Sequence, residues 1–156
     1  MEKIRKCLSG CLQIAVVLFL LSGCSFPKII VYEDPLSPSE HNDLGVAYER
    51  KGKLQLAEKE YRKAIDKKPD WDIPYFNLGN IYFKMGKYSL AEKYYKKALE
   101  INSLNTDAMN NLAYLYMVQG RLSEAYRLIK KALTIKQKPE YIQTMKEIEE
   151  KINESG

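Results

Sequence analysis

The chain has 156 residues, of which 46% are hydrophobic and 29% charged, and a formal charge of +5 at neutral pH. It contains one histidine, His41, so a Ser-His-Asp or Cys-His arrangement has a single residue around which to form. The glycines do not gather into a phosphate-binding loop and the acidic residues are dispersed, which argues against an enzyme, a metal site or a cofactor.

Residues 1–23 read as an address. Lys3, Arg5 and Lys6 outweigh Glu2, an apolar stretch is densest over Ile14–Leu21, and Leu21-Ser22-Gly23-Cys24 follows. A basic start, a short apolar core and small residues before a cut mark a secretory signal. The run is shorter than the roughly 20 residues that a membrane-spanning helix needs. Leu-Ser-Gly-Cys resembles the lipobox of bacterial lipoproteins. That resemblance implies cleavage before Cys24 and acylation, palmitate included, of its thiol and new terminus; an uncleaved inner-membrane anchor is the alternative. Cys7 and Cys11 leave with the signal, so the mature chain has no partner with which Cys24 could form a disulfide. Ser25, where many inner-membrane lipoproteins carry Asp, implies the outer membrane, facing the periplasm. Residues 24–37 form a tether containing Pro27, Pro35 and the apolar Ile29-Ile30-Val31-Tyr32. From Ser25 to Ser37 it spans at most about 45 Å. The apolar run packs either on the domain that follows or on a partner.

That domain opens at Ser37-Pro38-Ser39-Glu40, a Ser N-cap with Pro at the first helical position and Glu three residues after the Ser. From here six columns repeat at a spacing of 34: Leu44/Leu78/Leu112, Tyr48/Tyr82/Tyr116, Gly52/Gly86/Gly120, Ala57/Ala91/Ala125, Lys63/Lys97/Lys131 and Ala64/Ala98/Ala132. Gly45/Gly79/Ala113 and Tyr61/Tyr95/Ile129 nearly repeat. Such a period predicts stacked units, here 38–71, 72–105 and 106–137, each made of two amphipathic helices. In the middle unit the helices are expected at about 72–85 and 88–101. Gly86 lies between them at positive φ. Gly79 and Ala91 let the two backbones approach, with Tyr95 filling the space beside them. Pro69 stops the preceding helix. Pro139 then opens a seventh helix over 138–154, whose stripe of Ile142, Met145, Ile148 and Ile152 is expected to cap the stack. About 115 residues suffice for a core without metal or disulfide.

Tyr75, Leu78-Gly79, Tyr82, Gly86, Ala91, Tyr95 and Ala98 stand at the spacing of the tetratricopeptide repeat (TPR) consensus, and the resemblance covers roughly 38–137. It implies an all-α fold, three helix-turn-helix units in a right-handed superhelix plus a capping helix. The departures are His41 in an aromatic slot, Ala113 for Gly, and Ser103 and Gln137 where unit one has Pro69. His41 is expected to pack at the edge of unit one. The resemblance also implies a concave groove lined by the first helices, with contact positions at Asn42, Val46, Glu49, Ile73, Phe76, Asn80, Phe83, Asn110, Tyr114 and Met117. The clamp that some relatives use for a C-terminal carboxylate would fall on Asn42, Val46, Asn77, Asp107 and Asn111. None of these is Lys or Arg, so that mode is not expected.

Arg62-Lys63, Lys96-Lys97 and Lys130-Lys131 recur on the second helices, either as a solvated face or as a ridge for an anionic partner. An export signal argues against nucleic acid. The expected role is an adaptor at the membrane, holding a peptide or helix of a protein partner and no small-molecule substrate. TPR lipoproteins serve secretion, pilus assembly, polysaccharide export and cell-wall enzymes. The segment Asp34-Pro35-Leu36…Glu49-Arg50 resembles those found beside cysteine peptidases. The alternative is a self-associating scaffold that shares the stripe of the seventh helix.

Overall fold

A computed structural model describes residues 34–155. The expected signal, Cys24 and the expected tether as far as Glu33 lie outside the described residues. Among those described, seven helices follow one another: α1 (Pro38–Arg50), α2 (Leu54–Lys67), α3 (Asp72–Lys84), α4 (Tyr88–Ile101), α5 (Thr106–Val118), α6 (Leu122–Ile135) and α7 (Pro139–Ser155). None of them is long and apolar enough to cross a membrane. The first six pair as three hairpins, each packed on the next, and α7 closes the stack against α6 and α5.

Local chemistry sets these boundaries. The Ser37 hydroxyl accepts from the Glu40 amide at 3.2 Å while the Glu40 carboxylate accepts from the Ser37 amide at 2.7 Å, so the expected capping box is present. Each hairpin turns on a glycine at positive φ: Gly52 at 70°, Gly86 at 70° and Gly120 at 76°. The residue after each glycine donates its amide five residues back, as Lys87 does to the Tyr82 carbonyl at 2.8 Å, which ends the first helix in a Schellman turn. A Cβ on these glycines would meet nothing within 4 Å, so backbone conformation selects the residue there, not space.

Space selects the glycines inside the hairpins. A Cβ on Gly45 would lie 2.5 Å from Cε1 of Tyr61, and one on Gly79 would collide with the Tyr95 ring. Both rings are buried across the glycine of the facing helix. Unit three carries Ala113 and Ile129 at the equivalent positions, both in the core. Where the first helix regains a methyl, the second loses its ring, so the departure from the repeat pattern is a matched exchange of volume.

Polar side chains tie one hairpin to the next. Glu58 accepts from Tyr82 at 2.6 Å and from Arg62 at 3.0 Å. At the same columns one unit later, Glu92 accepts from Tyr116 at 3.1 Å and pairs with Lys96 at 2.7 Å, and Arg121, from a different column, adds a bond at 2.8 Å. Arg121 also lies 3.9 Å above the centre of the Tyr116 ring. Asp72 accepts from Asn102 and Asn105, and the Asn105 side chain caps α5 through the Ala108 amide at 2.9 Å.

Two expectations need correction. His41 is fully buried, not at an edge, with Nδ1 2.7 Å from Oε2 of Glu60. This polar pair occupies the columns that hold Tyr75 and Tyr94 in unit two. On α7 the buried face is Tyr141, Thr144 and Ile148 with Met145 half-buried, whereas Ile142 and Ile152 stay 55% and 39% exposed. The face is rotated because the Tyr141 hydroxyl is held by Thr106 at 2.9 Å and Asp107 at 2.6 Å, which turns a tyrosine, not an isoleucine, toward α5.

Gly79→Ala should cost on the order of 1–3 kcal/mol in denaturant melts. Adding Tyr95→Ile should recover part of that loss, and a strictly additive pair would contradict the volume exchange. A second expectation concerns acid. Burial pushes the Glu58 and Glu92 carboxyls up, but hydrogen bonds from Tyr82 and Arg62, and from Lys96, Arg121 and Tyr116, outweigh it and hold both below their ordinary 4.5. A lowered folded value means that stability is present above the unfolded value and lost as pH falls through the folded one. Glu92→Gln should therefore melt below wild type at pH 7 and converge with it in acid; a gap that is constant with pH would sink the assignment.

Candidate functional site

The first helices α1, α3 and α5 lie side by side, and two of the polar contacts between them share one offset. Asn42 accepts from Asn77 at 2.9 Å and Glu49 accepts from Lys84 at 2.7 Å, both 35 residues apart, one more than the repeat. This lateral register brings side chains from three units onto one surface. There a pocket of about 370 Å³ opens to solvent, lined by Glu49, Asn80, Phe83, Lys84, Tyr95, Asn110, Asn111 and Tyr114.

Its walls are fixed from behind by the two buried tyrosines of the second helices. Each ring passes its glycine and delivers a hydroxyl to the groove side. Tyr61 donates to Glu49 Oε2 at 2.8 Å and Tyr95 donates to Asn80 Oδ1 at 2.8 Å. Burial, reinforced in Tyr61 by the Glu49 carboxylate, pushes both phenols well above their usual range, so they remain donors at any physiological pH. Asn80 Oδ1 also accepts from Asn111 at 2.8 Å. Phe83 and Tyr114 meet at a ring separation of 5.8 Å, and Tyr88 tilts against the other side of Phe83 at 5.5 Å.

Five of the ten residues expected in the groove line this pocket: Glu49, Asn80, Phe83, Asn110 and Tyr114. Val46 and Phe76 are half-buried against the core, and Ile73 is exposed beyond the pocket. Asn42, 7% exposed and bonded to Asn77, and Met117, 5% exposed, sit inside the stack and do not line the pocket. Lys84 was missed as a groove residue, and so was the tip of Tyr95, while Asn111 was named only as a carboxylate-clamp position. The offset of 35 from Glu49 was the available signal for Lys84, because it places a cation beside an anion on neighbouring first helices. The basic pairs on the outer face are largely engaged within the fold: Arg62 with Glu58 at 3.0 Å, Lys96 with Glu92 at 2.7 Å and Lys97 with Glu100 at 2.9 Å. Among the described residues no group of His, Cys, Asp and Glu is arranged to hold a metal ion.

Three tetratricopeptide-repeat family profiles match the chain over residues 47–86, 74–103 and 94–127, together spanning the whole of 47–127. These are tetratricopeptide repeats. Solved TPR domains share the architecture. The first TPR of Spaghetti (RPAP3), bound to the HSP90 peptide SRMEEVD, superposes with a TM-score of 0.72 at 21% identity, covering 79% of this chain and 98% of that one. The N-terminal domain of stress-induced protein-1 from C. elegans gives 0.63 at 26% identity, covering 72% and 94%. The second TPR domain of human RPAP3, in complex with the HSP70 peptide SGPTIEEVD, gives 0.66 at 20% identity, covering 72% and 98%. No curated protein matches the chain. None of the matching TPR profiles describes a catalytic family.

Tyr95→Phe removes the hydroxyl that fixes Asn80 while keeping the ring on Gly79. The expected loss is about 0.5–1.5 kcal/mol in equilibrium unfolding, the net worth of one part-buried hydrogen bond. An unchanged midpoint would mean that the phenol does not anchor the groove wall.

Proposed function

We propose that this chain is a lipid-anchored adaptor that holds a peptide or helix of a partner protein in its TPR groove and helps assemble a complex of the bacterial envelope. The carrying observation is the solvent-open pocket built by α1, α3 and α5, in which a Phe83–Tyr114 shelf is left uncovered and Tyr114 stays 38% exposed. Aromatic side chains beside amides, with little free charge, suit the centre of an interface. TPR domains of like fold are bound to chaperone peptides. The lipobox-like Leu21-Ser22-Gly23-Cys24 supports anchorage through Cys24, and Ser25 supports the outer membrane with the domain in the periplasm. The partner is then a component of secretion, pilus, polysaccharide-export or peptidase machinery within tether reach of that membrane.

One observation favours a second reading. Ile142 and Ile152 are exposed on α7, which suits a self-associating scaffold. A sedimentation series in which the mass stays monomeric removes it.

The adaptor is tested by photo-crosslinking in cells, with the crosslinking residue replacing Tyr114 in one strain and Lys93, on the outer helices, in another. A protein captured from Tyr114 alone, and lost when Cys24→Ala is added, supports a membrane-held groove. Equal capture from both positions removes the groove, and capture indifferent to Cys24 removes the anchor.

A further inference from the structure

The hydrogen bonds of the groove are out of balance at one end. Tyr95 donates to Asn80 Oδ1, Asn111 Nδ2 donates to the same oxygen, and Asn110 Nδ2 donates to Asn111 Oδ1 at 3.2 Å, the longest of the three. The series stops at Asn110 Oδ1, which is buried and has no hydrogen-bond partner among the described residues. A buried carbonyl without a donor is costly, and such groups are few in folded proteins. Units one and two each send a phenol into the groove, but unit three has Ile129 in that column, so no hydroxyl completes the set. On the other side, Asn80 Nδ2 makes no hydrogen bond among the described residues, because both bonds of that side chain are to its oxygen. The groove thus carries one unused acceptor and one unused donor on adjacent first helices.

Its charges, by contrast, are spent. Among the described residues, Glu49 and Lys84 are the charged ones that line the pocket and they pair at 2.7 Å, while the second Glu49 oxygen is held by Tyr61. Among the described residues that line it, no further cation stands ready for a terminal carboxylate or an acidic side chain. What remains is an amide-like donor and acceptor beside the Phe83–Tyr114 shelf.

We infer that the groove grips an extended, uncharged internal stretch of a partner's chain through its main chain. Asn110 gives up its long bond to Asn111 and turns its carbonyl outward to accept a peptide N–H. Asn80 Nδ2 donates to a carbonyl of the same stretch, and an apolar side chain of the partner lies on Phe83 and Tyr114. The inference rests on the groove reading above and sharpens it: the ligand is recognised by backbone and shape, without a chain terminus and without acidic residues.

The test pans the full chain, held in detergent, against phage displaying random 12-residue peptides. Selected sequences are then synthesised with blocked ends and measured by fluorescence polarisation. The expected cores lack charged residues, carry an aromatic or branched side chain and bind with both ends blocked. N-methylation at one core amide should weaken binding by about tenfold, the scale of one lost hydrogen bond to a desolvated group. Asn110→Ala should weaken it similarly without lowering the melting temperature, since the substitution also removes the orphaned oxygen. The acidic peptide SRMEEVD should bind no better than its scramble. Acidic selections, a need for a free C-terminus, or indifference to both N-methylation and Asn110→Ala overturns the inference; if Tyr114→Ala still abolishes binding, the groove itself stands. Failure to select any peptide, or binding that is blind to Tyr114→Ala, overturns both.

Discussion

The close passage of a tyrosine ring across a backbone glycine is the contact on which the rest of this domain depends. At Gly45 and Gly79 the missing methyl lets the second helix of a hairpin lay Tyr61 or Tyr95 against the first. That contact sets the interhelical distance, and dense packing makes it unforgiving. The same two rings are long enough to emerge on the far side, where their hydroxyls hold Glu49 and Asn80. One side chain therefore carries both jobs in each of the first two units. Core volume and groove geometry cannot be changed independently there.

Unit three shows what happens when the device is relaxed. Ala113 and Ile129 fill the hairpin without a ring, and both are fully buried in the core. The groove side of that unit then lacks a phenolic anchor. Its polar wall relies on lateral amide bonds from Asn111 and Asn110 instead, and these run out before the last oxygen is satisfied. A neutral, partly unsatisfied wall next to an aromatic shelf differs in character from a cluster of cations. Lys84, the one cation among the described residues at the pocket, pairs with Glu49.

Much of this was legible in the sequence wherever the controlling interaction is local or strictly periodic. The capping box at Ser37, the turn glycines and the pairing of Gly79 with Tyr95 follow from residue type and the 34-residue spacing. What escaped depends on polar pairs across units. Counting apolar residues along α7 chose Ile142 and Ile152, but the Tyr141 hydroxyl finds Thr106 and Asp107 and turns a different face inward. His41 looked like a misfit in an aromatic slot because Glu60, its partner 19 residues away, has no counterpart in the other units. Met117 shares a column with Glu49 and Phe83, yet it is buried in the core. An offset of 35 recurs in Asn42–Asn77 and Glu49–Lys84 between first helices and in Thr106–Tyr141 between α5 and α7, a spacing that the repeat period alone does not supply, whereas Asn80–Asn111 is offset by 31.

The ties between hairpins also bear on how such a chain can change its length. Residues 72–105 present a tyrosine to the unit before and a glutamate to the unit after, Tyr82 to Glu58 and Glu92 to Tyr116. A second copy of this segment, inserted in tandem, would remake this tyrosine–glutamate tie at each new border, while its Asn77 and Lys84 would face Phe76 and Phe83 in place of Asn42 and Glu49. Unit three lacks that property, because Tyr126 stands where Glu58 and Glu92 stood. Growth by duplication is therefore open in the middle of the array and closed at its end, so an ancestor or an engineer would extend the recognition surface from within, leaving both terminal caps untouched.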